Sequence, residues 1–450
     1  MPKSLNTRQI IFIFTVLIAS FIGVFFITAN EMPKYSGFMV FFIILIISDF
    51  YLWNSVKNFI SKQKLYLKYA LGFCYWLSLI FSFVFFLALL LSDIKHWNAV
   101  VRTYLTASIL VLYVPKIFAV SSLLLADFLR LIKFVYTFIF KRNKFCQKFY
   151  NARWKPLLYI GNLVATLIFI LLIKGMIYGE FDFKVKKVYL EFKQLPTAFD
   201  GLRIVQLSDI HLGSWYGKEP LERAVQLVND LHPDIICFTG DLVNYSTQEA
   251  YLYEEILKKL NAPLGKFAIL GNHDYGEYVV WGNEAAKNQN MTDLFNFEKR
   301  IGWNLLLNSN LKISKDSSFI YIAGVENWGK NARFPKKGDI KKAISGIDSN
   351  CFTILLSHDP SHWDQIISKA YQNLPLTLSG HTHGMQFGFE TDNFVWSPAQ
   401  YLYKHWAGLF INEKTASPQY LYVNRGLGVI GYPGRIGILP EITLIELKKK

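Results

Sequence analysis

The sequence predicts a chain in two parts: a multi-pass α-helical membrane region over residues 1–178, with about five transmembrane helices, followed by an α/β domain over residues 179–450. Apolar runs long enough to cross a bilayer all lie before residue 179, whereas later runs shrink to strand length and alternate with amphipathic helical patterns. The charge is divided in the same way. Residues 1–177 hold 19 Lys+Arg against 4 Asp+Glu, and residues 178–450 hold 29 of each, so the whole excess of +15 sits among the apolar segments.

Ile10–Thr28 is an uncharged run of 19 residues behind Lys3 and Arg8, without a clear small-residue cleavage site. It is long enough to span a hydrocarbon core of about 30 Å as a helix. Gly37–Trp53, Tyr69–Leu91, Tyr104–Leu125 and Pro156–Tyr178 are the further candidates. Tyr104–Leu125 carries Pro115 and Lys116 near its middle, and a charge at that depth must face a bundle interior or reach an interface. Across the five-helix pattern, alternate connections sum to 14 and 3 Lys+Arg. Basic connections stay cytoplasmic, which puts the N-terminus inside and the chain beyond about Gly179 on the outer side. Because the charge reads as a topology signal and the later domain is neutral, a basic nucleic-acid surface is not expected.

In the second part, strands are expected at Leu202–Leu207, Ile235–Thr239, Phe267–Leu270, Phe319–Val325, Phe352–Leu356 and Leu376–Ser379, with helices at Leu221–Leu231 and Tyr251–Leu260. Cys74, Cys146, Cys237 and Cys351 lack CxxC spacing, which argues against a thiolate metal site or a disulfide framework.

Five polar clusters follow these strands: Asp209-Ile210-His211, Gly240-Asp241, Gly271-Asn272-His273-Asp274, Ser357-His358-Asp359 and Gly380-His381-Thr382-His383. Open α/β sheets place their binding crevice at such strand ends. Five of the nine histidines fall in these short turns. The clusters supply oxygen and imidazole donors without thiolate, a set suited to Mn, Fe or Zn. Asp209 and His211 can face one pocket if the chain bends there, and the Asp241 carboxylate can bridge two ions. Glycines 240, 271 and 380 would relieve crowding where backbone approaches metal.

The order D-x-H, G-D, G-N-H-D, H and G-H-x-H resembles the signature of the calcineurin-like metallophosphoesterases, over roughly residues 200–448. Leu421-Tyr422-Val423-Asn424-Arg425-Gly426, Pro433-Gly434-Arg435 and Pro440-Glu441-Ile442 look like the bacterial membrane-anchored branch, which often has a second Gly where this chain has Met385. The resemblance implies two packed β-sheets flanked by helices, a four-layer sandwich. It implies Asp209, His211, Asp241 and His383 around a first metal, and Asp241, Asn272, His358 and His381 around a second. Two neighbouring cations lower the pKa of a water and clamp phosphoryl oxygens during in-line attack. His273 would then serve the leaving group, with Asp274 able to orient it.

Arg425 and Arg435 are candidates for bidentate recognition of a substrate phosphate, with structural ion pairing as the alternative. His362 and His405 read as ordinary residues, and the aromatic-rich segment 386–410 as packing, an acyl pocket or a membrane contact. The expectation is a dimetal phosphoesterase in a bacterial cytoplasmic membrane, with its catalytic domain on the periplasmic or extracellular face. It would cleave a phosphomonoester, phosphodiester or pyrophosphate bond, and five helices around one domain point to a lipid-linked or envelope substrate. A UDP-acyl-sugar pyrophosphatase is the alternative enzyme, and a membrane sensor or scaffold with a vestigial metal site the alternative of another class. Oligomeric state is not legible.

Overall fold

The computed structural model describes residues 33–92, 97, 99–140, 153–330, 334–392, 394–413, 415 and 417–450. The run Ile10–Thr28 lies outside them. The chain divides into two compact units, one of residues 1–96 with 108–170, the other of residues 97–107 with 171–450.

Four long helices precede the first strand: α1 (Pro33–Ser61), α2 (Leu65–Leu91), α3 (Ala99–Phe140) and α4 (Lys155–Lys174), the last running into a π turn at Gly175–Gly179. Among the described residues, these are the four helices long and apolar enough to cross a membrane. The 42 residues of α3 reach about 60 Å, twice a hydrocarbon core.

Lys116 faces the interior of the first unit. Its ammonium meets the fully buried Asp49 carboxylate and donates to Ser78 Oγ at 2.5 Å, while Tyr113 donates to Asp49 Oδ2 at 2.7 Å. A second network joins Arg153 to Asp127 through hydrogen bonds of 2.8 and 2.6 Å, with Tyr51 donating to the same carboxylate at 2.6 Å. Among the described residues, Asp49, Lys116, Asp127 and Arg153 therefore each have a partner of opposite sign.

The second unit carries two six-stranded sheets. The first holds β1 (Lys184–Phe192), β2 (Leu202–Leu207), β3 (Ile235–Phe238), β4 (Lys266–Ala268), β5 (Asn304–Leu305) and β14 (Glu441–Lys449), in the order β1-β14-β2-β3-β4-β5. The second holds β6 (Ser309–Lys315), β7 (Ser318–Gly324), β8 (Thr353–Leu356), β9 (Leu376–Ser379), β12 (Gly408–Asn412) and β13 (Gln419–Val423), in the order β12-β13-β9-β8-β7-β6. A two-stranded ribbon, β10 (Phe389–Glu390) with β11 (Val395–Trp396), stands apart. Pairing is parallel through β2-β3-β4-β5 and through β13-β9-β8-β7, while β14 is antiparallel to β2 and parallel to β1.

The sheets pack face to face. Ile204, Ile235 and Cys237 of the first meet Ile322, Ile354 and Leu376 of the second in one buried cluster. The other face of the first sheet is covered by helices α5 (Glu219–Asp230) and α6 (Glu284–Arg300), through Leu221, Val228, Leu294 and Phe297. The other face of the second sheet is covered by Ile340, Trp363 and Ile367. Four layers result, and because the central strands are covered on both sides, β3 (IICF) and β8 (TILL) are buried throughout and do not alternate apolar with polar residues. The expected helix at Tyr251–Leu260 is instead a 3-10 segment, Thr247–Tyr253, with a single α turn at Glu254–Leu257. Thr247 is tied to Asn290 through both its amide and its hydroxyl, each at 2.8 Å, which fixes where the segment starts.

Candidate metal centre

Five turns carry the predicted ligands, and each leaves the C-terminal end of a strand. Asp209 and His211 follow β2, Asp241 follows β3, Asn272 and His273 follow β4, His358 follows β8, and His381 and His383 follow β9. Both sheets thus contribute to one crevice at their parallel strand ends.

The backbone bends sharply there. Asp209, His211, Asp241, His381 and His383 have φ between 50° and 72°, and they are five of the ten non-glycine residues with positive φ among the described residues. A left-handed non-glycine residue costs about 1–3 kcal/mol, so the surrounding fold must enforce these bends. Gly380 shows how tightly. A Cβ there would lie 1.9 Å from Ser208 Oγ and 2.3 Å from Asp209 Oδ2.

Three donor clusters form among the described residues; one joins His211, Asp241 and His273, and the other two carry residues of the expected ligand sets. In the first of those two, His383 Nε2 lies 3.2 Å from Asp209 Oδ1 and 3.1 Å from His211 Nε2. In the second, His358 Nε2 lies 3.2 Å from His381 Nδ1 and 3.2 Å from Asp241 Oδ2. The same Asp241 oxygen is 3.6 Å from His211 Nε2, so it faces both groups. Outward-facing atoms have partners of their own: His358 Nδ1 meets the Thr239 carbonyl at 2.7 Å, and His381 Nε2 meets the Tyr403 hydroxyl at 2.9 Å. Such partners fix the ring orientation and tautomer of a metal-binding imidazole.

Asn272 provides a direct test of fit. Its amide nitrogen donates to Tyr278 Oη at 2.8 Å, leaving a buried carbonyl oxygen without a partner. Facing imidazole nitrogens likewise need a proton or a cation between them. The donor set and the orphaned carbonyl both suit a pair of metal ions.

Electrostatics agree with this geometry. Burial works against charge on Asp209 and Asp241, but the imidazoles facing them, His383 for the first and His358 for the second, more than offset it and hold both carboxyls below the usual range. Burial also opposes charge on His358, yet Asp241 brings its pKa up to about 10. His211, His273 and His381 are lowered, chiefly by burial.

Three of the candidate residues make structural contacts. Asp274 does not orient His273; its carboxylate accepts the backbone amides of Asp241, Leu242 and Gly271 at 2.8 Å each, tying two site turns together. The His273 ring is held instead by the Asn244 carbonyl, 2.8 Å from Nδ1. Arg425 is not free to take a phosphate, because its guanidinium forms a two-pronged pair with Glu390 at 2.7 and 2.9 Å and lies 3.3 Å from Glu441. Arg435 is buried and donates to the carbonyls of Arg425, Gly426 and Gly428 at 2.9, 3.1 and 2.6 Å, so it braces the loop beside His383. His362 is buried, stacks on Trp328 and meets Ser357 Oγ at 2.9 Å, as an ordinary packed histidine does.

Tyr403, Tyr278 and Asn244 contact the site, and sequence reasoning missed their roles. Tyr403 lay within the aromatic-rich segment 386–410, but nothing in that pattern distinguished it from Phe389 or Phe394, which are exposed.

Residues 202–385 match the family described as calcineurin-like phosphoesterase, and residues 34–180 match the transmembrane domain described as belonging to a probable calcineurin-like phosphoesterase. A zebrafish transmembrane protein with a metallophosphoesterase domain is 32% identical over 62% of this chain, which spans 61% of that protein's length. The uncharacterized metallophosphoesterase YkuE of Bacillus subtilis is 33% identical over 56% of this chain and 82% of its own. A UDP-2,3-diacylglucosamine pyrophosphatase, LpxG of Chlamydia muridarum, is 30% identical over 52% of this chain and 81% of its own. On the fold, the converging donors and these likenesses, the chain belongs to the calcineurin-like phosphoesterases, hydrolases of phosphoester bonds, as a membrane-associated member of that family.

Proposed function

We propose that residues 179–450 hydrolyse a phosphoester on the outer face of the membrane that residues 1–178 span, and that the substrate is a lipid-linked or envelope phosphomonoester, phosphodiester or pyrophosphate. The observation that carries the catalytic reading is Asp241 Oδ2, which faces His211 on one side and His358 on the other. Asp209, His211, Asp241 and His383 would hold one metal ion, and Asp241, Asn272, His358 and His381 the other, with Mn, Fe or Zn suited to the donors. When bound, such a pair supplies electrophilic stabilisation of a phosphoryl group and a water of lowered pKa.

His273 lies half-buried beside the donors, its ring edge-on to His211 at 4.8 Å between centroids. With Nδ1 committed to Asn244, its Nε2 is the atom that can pass a proton to the leaving oxygen. A substrate phosphate beside the ring would raise its proton affinity. Buried walls on the Asp209 and Asp241 side exclude bulk water and strengthen each of these interactions.

Metal analysis of the purified protein, coupled to turnover of membrane-lipid phosphoesters, tests the assignment. His273→Ala is expected to keep both metals and lose most turnover; loss of metal in proportion to activity would make His273 a ligand instead. A second reading, a pyrophosphatase acting on a nucleotide-linked acyl sugar, is favoured by the likeness to LpxG and opposed by the loop charges, whose five-helix reading predicts an outward domain. Labelling of a cysteine introduced at Gly217 by a membrane-impermeant reagent on intact cells separates the two, since only an outward domain reacts.

A further inference from the structure

His273 takes its orientation from a peptide whose own placement depends on a largely buried carboxylate. The Asn244 carbonyl accepts from His273 Nδ1 at 2.8 Å. In the same peptide unit, the Tyr245 amide donates to Glu249 Oε2 at 3.2 Å, and the Asn244 amide donates to the same oxygen at 2.7 Å. A peptide unit is planar and trans, with its N–H and C=O on opposite edges. Holding the Tyr245 N–H on Glu249 therefore points the Asn244 carbonyl the other way, at the imidazole. A carboxylate on the N–H also polarises the peptide and makes its carbonyl a stronger acceptor.

Glu249 is itself confined. It packs against Gly213, two residues beyond the expected ligand His211, so closely that a Cβ there would lie 2.3 Å from Oε2 and 2.6 Å from Oε1. Oε1 faces Arg102 Nη2 at 3.8 Å, and the Arg102 guanidinium lies over the Tyr245 ring, 3.9 Å from its centroid. Arg102 stands in the first turn of α3, within the residues 97–107 of that helix region that belong to the second unit. The Arg102 and Glu249 side chains are only 13% and 11% exposed, so salt screens the pair weakly. Burial pushes the Glu249 carboxyl up to about 6, against the pull of the two amides and Arg102, which leaves a carboxylate at neutral pH.

We propose that Arg102 and Glu249 are positioning residues for the leaving-group step: they hold the Asn244–Tyr245 peptide so that its carbonyl aims the His273 ring, which makes the start of the long apolar helix α3 part of the catalytic arrangement. The proposal rests on the reading of His273 as the group that protonates the leaving oxygen. A misplacement of about 1 Å caused by a change away from the chemistry can cost about a hundredfold in rate.

Two measurements on the full-length protein in detergent, with zinc added, test it. In protein labelled with ¹⁵N in the histidine rings, the His273 signals are those lost in His273→Ala. Glu249→Ala is expected to shift them, Arg102→Met to shift them in the same direction, and Glu249→Gln, which keeps an acceptor for both amides, to leave them nearer wild type. Unmoved His273 signals in Glu249→Ala overturn the proposal, and unmoved signals in Arg102→Met remove Arg102 from it. Turnover of diphenyl phosphate and of bis(p-nitrophenyl) phosphate then reads the reaction. Because a poor leaving group depends more on an acid, Glu249→Ala should lose about tenfold or more in kcat on the first and no more than about threefold on the second, with metal content unchanged. Added to His273→Ala, the same change should alter neither rate by more than about twofold, since both act through one ring. Equal losses on the two substrates, or losses that multiply in the double variant, overturn the positioning role and leave the reading of His273 standing. A His273→Ala protein as active as wild type defeats that reading and this proposal with it, and a wild type inert on both substrates defeats the hydrolase reading as well.

Discussion

Asp274 Oδ2 accepts the backbone amide of Asp241 at 2.8 Å, so a carboxylate one residue past His273 serves the neighbouring turn and not the ring beside it. Because the same side chain also takes the amides of Leu242 and Gly271, it joins the turns after β3 and β4 as a clasp.

Removing that clasp should damage stability and metal binding together. Asp274→Ala leaves several buried amides without an acceptor, at about 1–3 kcal/mol for each unsatisfied group. We expect a lowered melting temperature and loss of metal from the Asp241 side, read by thermal unfolding and metal analysis. A stable, metal-replete but inactive Asp274→Ala protein would show that Asp274 acts on His273 after all.

Arg425 and Glu390 predict an acid limb. The hydrogen bond from Arg425 is the main reason that the Glu390 pKa falls from 4.5 to about 2. A depressed carboxyl stabilises the fold above its unfolded pKa and loses that contribution as pH falls through the folded one. Wild-type stability should therefore decline between pH 4.5 and about 2 more steeply than that of Glu390→Gln. Parallel curves would rule the pair out as the cause. Arg425→Ala, which leaves Glu441 buried beside an empty space, should cost about 3–5 kcal/mol without a specific rise in KM.

Within the helical unit, Asp49 and Lys116 should behave as a coupled pair. Asp49→Leu or Lys116→Met alone strands a buried charge, at about 3–5 kcal/mol, whereas the two changes together should recover most of the loss. Thermal unfolding in detergent measures this. Strict additivity of the two changes would mean that the groups do not interact.

Much of the architecture was legible because burial leaves a strong imprint on sequence. Leu202–Leu207 and Leu376–Ser379 were expected as strands with the bounds observed, since both are short, largely apolar segments closed by polar turns. By contrast β1, whose sequence KVKKVYLEF mixes charged and apolar residues without a regular alternation, was not expected, and its pairing with Glu441–Lys449 lies far along the chain. The converging residues of the site were legible for a different reason. Asp, His and Asn after successive strands carry a chemical pattern that survives without coordinates. Which atom each side chain faces was not legible, because Asp274 and Arg435 find their partners through backbone brought together only by the complete fold.

The left-handed backbone at Asp209, His211, Asp241, His381 and His383 has a practical consequence for anyone who evolves or engineers this chain. Replacing one of these residues by glycine relaxes a strained bend and removes a donor in the same step. Selection for heat resistance alone will therefore tend to enrich inert variants, and a useful thermostable form has to be sought with turnover as a simultaneous requirement.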